Sequence, residues 1–582
     1  MGGTGMGYME SYKEWLENPY FDAETKSELK AIQNDENEIR ERFYADLEFG
    51  TGGLRGIIGA GINRMNKYTV RKATQGLANF ILKQGTEAMG VAIAHDSRHM
   101  SIEFAEEAAC CLCANGIKAY VFDSLRPTPE LSFAVRYYGC TAGINITASH
   151  NPPEYNGYKV YWADGAQITP PYDTGILSEV KAVTDYASVK TMSVEEAKEK
   201  GLFITIGAEV DDAYMAALKT QIKRQDCIDR YGRELKVVYT PLHGTGNLPA
   251  RRILREIGFP NVTVVPEQEL PDGNFPTVSY PNPEAAEAFT LALALAKKED
   301  ADLVLATDPD ADRLGVYVKD ASTGEYHVLT GNMSGCLLAD YEIGQWKEQK
   351  GLPEDGALVT TIVSSNMAQA IGRKYGIDVY ETLTGFKYIG EQIKRFEDQG
   401  RGTYLFGFEE SYGCLIGTHA RDKDAIVATM ALCEAAAYYK SRNMTLWDAM
   451  VALYEELGYF KDGIISFTMK GIDGLEKIQK IMNTLREEAP MQIGDHCVVA
   501  VRDYKADTRR VLATGETTPS GLPQSNVLYY ELDEEAWCCV RPSGTEPKIK
   551  IYFGVKGSSF EDAEEKSKKL GEALKTMIEQ IG

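Results

Sequence analysis

Residues 147–159 read Thr147-Ala148-Ser149-His150-Asn151-Pro152-Pro153-Glu154-Tyr155-Asn156-Gly157-Tyr158-Lys159. An apolar run over 143–147 predicts a strand that ends at Thr147. Pro152 and Pro153 then stiffen a loop and contribute no backbone donors. Asn156-Gly157 is the strongest short hairpin signal, so a turn is expected there, with the chain running back as a strand over 158–161. Ser149 thus sits at a strand end beside a rigid loop. A serine hydroxyl is a weak nucleophile unless a neighbour accepts its proton or stabilises the product, and His150 and Lys159 lie within the same local structure. From these residues alone, a capped loop in which Ser149 and His150 merely satisfy backbone groups is the alternative.

The segments around this stretch alternate between helix and strand. Upstream, from about Lys67, a helix is expected over 68–82, a strand at 91–94, a helix from Ile102 and a strand at 118–122. The rhythm returns with a strand at 235–240, a helix after Asn247, a strand at 262–265, a helix from Pro283 and a strand at 303–306. A third pass has a helix from Gly331, a strand at 358–363, a helix from Asn366, a strand at 379–382, a helix from Phe386 and a strand at 404–406. After a helical stretch around 424–456, strands at 464–469, 497–501, 527–532, 537–541 and 548–552 are mixed with two helices. Alternation of this kind predicts α/β layers, and the tail predicts an α+β end. The expected architecture is three similar α/β mixed-sheet domains, 1–204, 205–322 and 323–459, followed by a C-terminal α+β domain, 460–582.

Composition narrows the function. The chain has 582 residues, with 85 acidic against 62 basic side chains and a net charge of −23. Such a charge disfavours nucleic acid and anionic lipid surfaces as partners. Screening over about 8 Å still lets a local Lys/Arg cluster bind a small anion. No run approaches the roughly 18 apolar residues of a membrane span. The nearest, 285–296, contains Glu287. The first residues lack the basic and apolar regions of a secretory signal, so a cytoplasmic protein is expected. The eleven cysteines do not suggest a disulfide framework. Cys110 and Cys113 have C-x-x-C spacing but fall inside an expected helix over 101–115, where they read as small buried apolar groups.

Four further segments carry chemistry. Asp308-Pro309-Asp310-Ala311-Asp312-Arg313 follows an apolar strand and brings three carboxylates together where the loop bends. An EF-hand is excluded, because Arg313 stands where glycine belongs and Lys319 where glutamate belongs. The acids repel one another unless neutralised, and with no Cys or His beside them the donor set suits Mg²⁺. Gly407-Phe408-Glu409-Glu410-Ser411-Tyr412-Gly413 offers carboxylates and a hydroxyl to sugar hydroxyls, with a solvated turn as the alternative. Arg541-Pro542-Ser543-Gly544-Thr545-Glu546-Pro547 offers a guanidinium, two hydroxyls and the Gly544 amide to an anion. Gly50-Thr51-Gly52-Gly53-Leu54-Arg55-Gly56 fails the dinucleotide fingerprint, since Arg55 replaces its third glycine.

The Ser149 loop, the aspartate loop, the Glu-Glu-Ser loop and the Arg541 loop occur in this order, each near the end of a different expected domain. Together they resemble the α-D-phosphohexomutase superfamily of phosphoglucomutases and phosphomannomutases, over roughly 43–553. Within it the likeness is to the bacterial phosphoglucomutase branch related to dual phosphoglucomutase/phosphopentomutase enzymes. The resemblance implies four domains around a central cleft, and a mutase working through a phosphoserine and glucose 1,6-bisphosphate. Ser149 matches the serine that carries the phosphoryl group and joins Asp308, Asp310 and Asp312 around Mg²⁺. His150 and Lys159 match the accompanying groups, Lys159 for acid–base work, and Arg55 the N-terminal active-site arginine. Glu409 and Ser411 match the sugar loop, and Arg541, Ser543, Gly544 and Thr545 the distal phosphate loop. Arg313 and Lys387 look like further phosphate or sugar contacts. His419 and Lys423 lie where the superfamily varies and receive no role. Sugar phosphates are the expected partners, glucose 1-phosphate first, with pentose or mannose phosphates as alternatives. A Mg²⁺-dependent sugar phosphatase and a non-catalytic sensor are the readings from other classes. The oligomeric state is left open.

Overall fold

A computed structural model describes residues 7–50, 52–469, 472–543 and 547–582. The chain forms two compact units, one of residues 1–328, 386–401 and 413–443, the other of residues 329–385, 402–412 and 444–582.

In the first unit, a six-stranded mixed sheet runs in the order Gly53–Ile57, Tyr155–Trp162, Ala142–Ile146, Val91–His95, Ala119–Phe122, Phe203–Ile206. The last four strands are mutually parallel, and the first two run antiparallel at one edge. Parallel strands are covered on both faces and therefore read as continuous apolar runs. Val91, Ile93, Ile144 and Ile146 pack against Leu77, Ala108 and Leu112 of the helices Lys67–Gln84 and Ser101–Ala114. The first of these helices starts where the Asn66 side chain accepts hydrogen bonds from the amides of Tyr68 and Thr69. It stops at Gly85, which is left-handed at φ 69°. A second sheet joins Val237–Thr240, Val262–Val264 and Leu303–Thr307 in parallel, with Leu314–Lys319 antiparallel to the last.

In the second unit, Gly356–Thr361 lies parallel between Asp378–Thr382 and Thr403–Glu409. The C-terminal sheet is antiparallel, in the order Tyr459–Thr468, Lys548–Gly557, Trp537–Pro542, Leu528–Leu532, His496–Asp503, Thr508–Val511. Ile551, Val540 and Leu528 of this sheet share a core with Leu570, Leu574 and Ile578 of the helix Phe560–Ile581. Three α/β domains with mixed sheets and a C-terminal α+β domain are the result.

Three differences from the sequence reading have physical causes. Asn156 and Gly157 are not a turn but lie inside the strand Tyr155–Trp162. The reversal falls earlier, in the loop after Ile146. Asn156 is spent on tertiary bonds, donating from Nδ2 to the carbonyl of His99 and the hydroxyl of Ser101, each at 3.0 Å. The helix expected from Pro283 begins only with a 3₁₀ turn at Ala286–Phe289, continuing as Thr290–Glu299. Finally, the helices Tyr8–Glu17, Ala23–Ala31 and Glu36–Phe43 precede the first expected element. They are held by aromatic packing: Trp15 stacks on Phe21 at 4.2 Å and meets Phe43 and Tyr68 edge-on.

The cysteines are free, and Cys110, Cys111 and Cys113 are buried in their helix. Burial pushes the Cys110 thiol up to about 12 and Cys113 to about 11, which suits inert packing groups. Among the described residues no helix is long and apolar enough to cross a membrane.

Candidate active site

Strand pairing assembles the first half of the site. Ser149 follows the strand Ala142–Ile146 in a left-handed conformation, φ 52°, and is 3% exposed. Its amide donates to Thr147 Oγ1 at 2.9 Å. The neighbouring strand places Lys159 opposite Asn145, and the edge strand places Arg55 opposite Gly157. Arg55 Nη1 donates to Asn151 Oδ1 of the serine loop at 3.3 Å. Ser149 Oγ lies 3.3 Å from His150 Nδ1 and donates to Asp308 Oδ2 at 3.0 Å.

Asp308 belongs to the turn that ends the strand Leu303–Thr307, and Ala311 in that turn is left-handed at φ 51°. Asp308, Asp310 and Asp312 are all buried, each offering an oxygen within 4.8 Å of the others. Asp308 Oδ1 accepts from the amides of Asp312 and Arg313, both at 3.2 Å. Asp310 Oδ2 accepts from Thr128 Oγ1 at 2.6 Å and from Lys159 Nζ at 3.3 Å. Oδ1 of Asp310 and Oδ1 of Asp312 are buried with no hydrogen-bond partner. Three converging carboxylates with two unpartnered oxygens, and no sulfur or imidazole among them, fit a hard divalent cation such as Mg²⁺. Electrostatics agrees. Burial first, then Asp312 and Asp310, hold the Asp308 carboxyl well above the usual range. Asp312 is also opposed by burial, yet Lys423, Lys159 and Arg313 together bring it below its ordinary value.

The cations around the acids are themselves shaped by the site. Burial, reinforced by Arg313 and Arg55, lowers the His150 imidazole to about 3, so it is neutral at pH 7. Burial also draws the Arg55 guanidinium down, with Arg313 acting in the same direction. Arg313 is held by Glu284, Nη1 to Oε1 at 3.0 Å. Lys387 lies in the same unit, in the first turn of the helix Phe386–Gln399, and burial lowers its ammonium.

Three groups in this site had no role in the sequence reading. Lys423 Nζ stands 3.3 Å from Asp312 Oδ2 and 3.4 Å from Asp422 Oδ1, with the Phe386 ring beneath it at 5.7 Å. Its position follows from Asp424, whose side chain caps the helix Ala425–Lys440. That cap was the available signal. His419 Nε2 donates to Asp424 Oδ2, 2.8 Å away, and so belongs to the cap. Thr128 opens the helix Thr128–Tyr137 and steadies Asp310, with Asn145 Nδ2 donating to its hydroxyl at 2.6 Å. Arg98 lies behind the serine loop and donates to its backbone carbonyls.

The remaining candidates lie in the second unit. Glu409 ends the strand Thr403–Glu409 and is buried. Glu410 accepts from Thr361 Oγ1 at 2.8 Å and from Ser364 Oγ at 3.3 Å, and Tyr412 is left-handed at φ 64°. Gly331, first residue of the helix Gly331–Lys350, is pressed so close that a Cβ there would lie 2.1 Å from the Glu410 carbonyl. Ser411 therefore stands in a braced loop between these two residues. Arg541 is in the strand Trp537–Pro542, and the Ser543 amide donates to the Lys548 carbonyl at 2.8 Å. Gly544 and Thr545 lie outside the described residues.

Comparison with known proteins agrees along most of the chain. Family models of phosphoglucomutase/phosphomannomutase match in order: α/β/α domain I over 46–187, domain II over 212–324, domain III over 330–457, and the C-terminal domain over 485–568. A phosphoglucomutase of Staphylococcus epidermidis is 36% identical over 549 residues, 94% of this chain and 98% of that protein. A phosphoglucomutase of Staphylococcus aureus is 37% identical over 535 residues, 92% of this chain and 94% of the other. In fold, the chain is similar to the phosphoglucomutase parafusin of Paramecium, with a TM-score of 0.67 at 19% identity, covering 92% of this chain and 95% of that one. It is likewise similar to a phosphoglucomutase/phosphomannomutase family protein of Burkholderia thailandensis, with a TM-score of 0.64 at 21% identity, covering 91% and 97%. The protein is an enzyme of the phosphotransferring isomerase class. It belongs to the phosphoglucomutase/phosphomannomutase family, on the bacterial phosphoglucomutase side of the α-D-phosphohexomutase superfamily.

Proposed function

We infer that the protein is a phosphoglucomutase that interconverts glucose 1-phosphate and glucose 6-phosphate through a phosphoserine at Ser149 and a glucose 1,6-bisphosphate intermediate. One observation carries the site assignment: the Ser149 hydroxyl is buried and donates to Asp308 inside a carboxylate triad. When bound, a magnesium ion held by Asp308, Asp310 and Asp312 beside Ser149 Oγ supplies charge neutralisation at the phosphoryl oxygens.

The chain's own residues do the rest. The bond from Ser149 Oγ to phosphorus breaks as one forms from the free sugar oxygen, and the sugar hydroxyl's proton ends on the departing Ser149 Oγ, with Lys159 as the acid–base group. In the second half the bisphosphate has turned over, its other phosphoryl group returns to the Ser149 oxygen, and the serine proton passes the opposite way to the sugar oxygen that group leaves. Neutral His150 hydrogen-bonds Ser149 Oγ without adding charge. Arg55, Arg313 and Lys387 contact phosphate or sugar, Glu409 and Ser411 select sugar hydroxyls, and the loop of Arg541, Ser543, Gly544 and Thr545 holds the phosphate that is not reacting. Burial of Ser149 limits attack by water, which favours transfer over hydrolysis. We further assign four domains, 1–204, 205–322, 323–459 and 460–582, a cytoplasmic location, sugar phosphates as partners and glucose 1,6-bisphosphate as primer.

The test is a coupled mutase assay with glucose 1-phosphate, mannose 1-phosphate and ribose 1-phosphate side by side, with Mg²⁺ and a trace of bisphosphate. Glucose 1-phosphate is expected to give the highest kcat/KM, and Ser149→Ala to abolish turnover in a folded protein. A preference for ribose or mannose phosphate would reassign the substrate. Phosphate release without isomerisation would indicate a phosphatase, and near wild-type mutase activity in Ser149→Ala would sink the site assignment.

A further inference from the structure

Behind the serine loop sits a charged pair that no step of the reaction uses. Arg98 is 3% exposed, and its guanidinium faces the backbone carbonyls of the loop. Nη2 donates to the carbonyls of Ser149 at 2.7 Å and Asn151 at 2.6 Å, and Nη1 to those of Pro152 at 2.9 Å and Tyr155 at 3.1 Å. Asp96 lies 3.3 Å from Arg98 Nε. Asp96 Oδ1 accepts from the Arg98 amide at 2.9 Å and from Ser101 Oγ at 2.8 Å. Its Oδ2 accepts from Thr147 Oγ1 at 2.7 Å, and Thr147 Oγ1 in turn accepts from the Ser149 amide.

We propose that Asp96, Arg98 and Thr147 form a clamp that positions Ser149 for phosphoryl transfer, acting through the shape of the loop. Four backbone carbonyls that point at one spot repel one another unless a cation sits among them. Guanidinium provides a planar fork whose two terminal nitrogens carry four N–H groups, one for each carbonyl. All four terminal donors are thereby spent on the loop, so Arg98 has none to offer a substrate phosphate and is a positioning residue. Pro152 and Pro153 bring no amides of their own to the loop, which makes an external donor set the means of fixing it. Ser149 occupies a left-handed conformation that a non-glycine residue adopts only when its surroundings hold it there. The chain from Asp96 through the Thr147 hydroxyl to the Ser149 amide supplies that hold, and it keeps Ser149 Oγ turned toward Asp308.

The proposal rests on the mutase reading for its catalytic consequence, so two readouts are needed. In Arg98→Lys the three donors of an ammonium cannot serve four carbonyls. In Thr147→Val an isosteric change removes the link to the Ser149 amide and leaves the charges in place. Expected results are a fall in kcat of about 100-fold for Arg98→Lys and about tenfold for Thr147→Val, with KM for glucose 1-phosphate changed less than threefold, because misplacement of the reacting atom by about 1 Å costs rate more than binding. Hydrogen exchange of the Ser149 amide is expected to quicken at least tenfold in Thr147→Val, whatever the enzyme turns over. If Arg98→Lys does not fold, Thr147→Val decides. Unchanged kcat and unchanged exchange would overturn the clamp, as would a loss carried wholly by KM. A wild-type protein with no mutase activity would defeat the function above, while the exchange readout would still decide the clamp.

Discussion

At the scale of single residues, burial sets the chemistry. His150 is adjacent to Ser149, and an exposed imidazole there would titrate near pH 6.5. Desolvation and the two neighbouring arginines lower it to about 3, so it stays neutral through the physiological range. The sign for stability follows. Between pH 6.5 and about 3 the unfolded chain binds a proton at this site that the folded chain refuses, so stability falls as pH falls through that window and is unaffected by this group above it. The slope is about 1.4 kcal/mol per pH unit from one such group. Urea titrations of the wild type and His150→Gln at pH 4.5 and pH 7 are expected to differ accordingly, the variant losing less stability on acidification. Equal losses in both proteins would show that His150 is protonated in the folded state.

At the scale of elements, the hairpin Ala142–Ile146 to Tyr155–Trp162 brings Ser149 and Lys159 together, and its close packing explains Gly157. A Cβ built on Gly157 would lie 2.4 Å from the Thr147 carbonyl and 3.0 Å from that of Leu54. Both obstacles are backbone, so neither can rotate away, and Gly157→Ala must part the strands on either side. A destabilisation of about 2 kcal/mol or more is expected, read as a lower urea midpoint at unchanged slope, together with loss of activity as Lys159 shifts. This is also why the strongest turn signal in the stretch misled. Asn-Gly permits a tight turn by local preference, but the same two residues equally serve an approach too tight for a Cβ and a side chain bonded to the helix Ser101–Ala114. Local sequence does not distinguish these uses. The aspartate loop was legible because its repulsive spacing needs a counter-charge in any fold. Lys423 and Arg98 were not, because their partners lie far along the chain, Lys423 more than a hundred residues from Asp312 and Arg98 about fifty from the loop it grips.

At the scale of the whole molecule, the site adds electrostatic strain that a cation relieves. Asp308, Asp310 and Asp312 are buried together, and burial, with Asp312 and Asp310 beside it, holds the Asp308 carboxyl well above its ordinary range. A ligand that binds only the folded chain stabilises it by mass action, by about 2.7 kcal/mol at 100 times its dissociation constant. Saturating Mg²⁺ is therefore expected to raise Tm over the chelated protein, and Asp308→Asn to abolish that shift while leaving the metal-free protein at least as stable as the wild type. Calorimetry with and without EDTA checks both. A Tm indifferent to Mg²⁺ in the wild type would remove the triad as a cation site.

By itself the sequence determined the α/β rhythm, the α+β tail and the chemical character of the loops of Ser149, the three aspartates, Glu409 and Arg541. Apolar periodicity, proline, glycine and charge spacing act over a few residues and survive in any context. The tertiary structure alone decided which distant groups complete those loops: Lys423 beside Asp312, Thr128 on Asp310, Arg98 under Ser149. Those contacts depend on strand order and on which faces are buried. Burial also moved the titration of His150 down and that of Asp308 up, since desolvation is a property of everything packed around a group and of no residue taken alone.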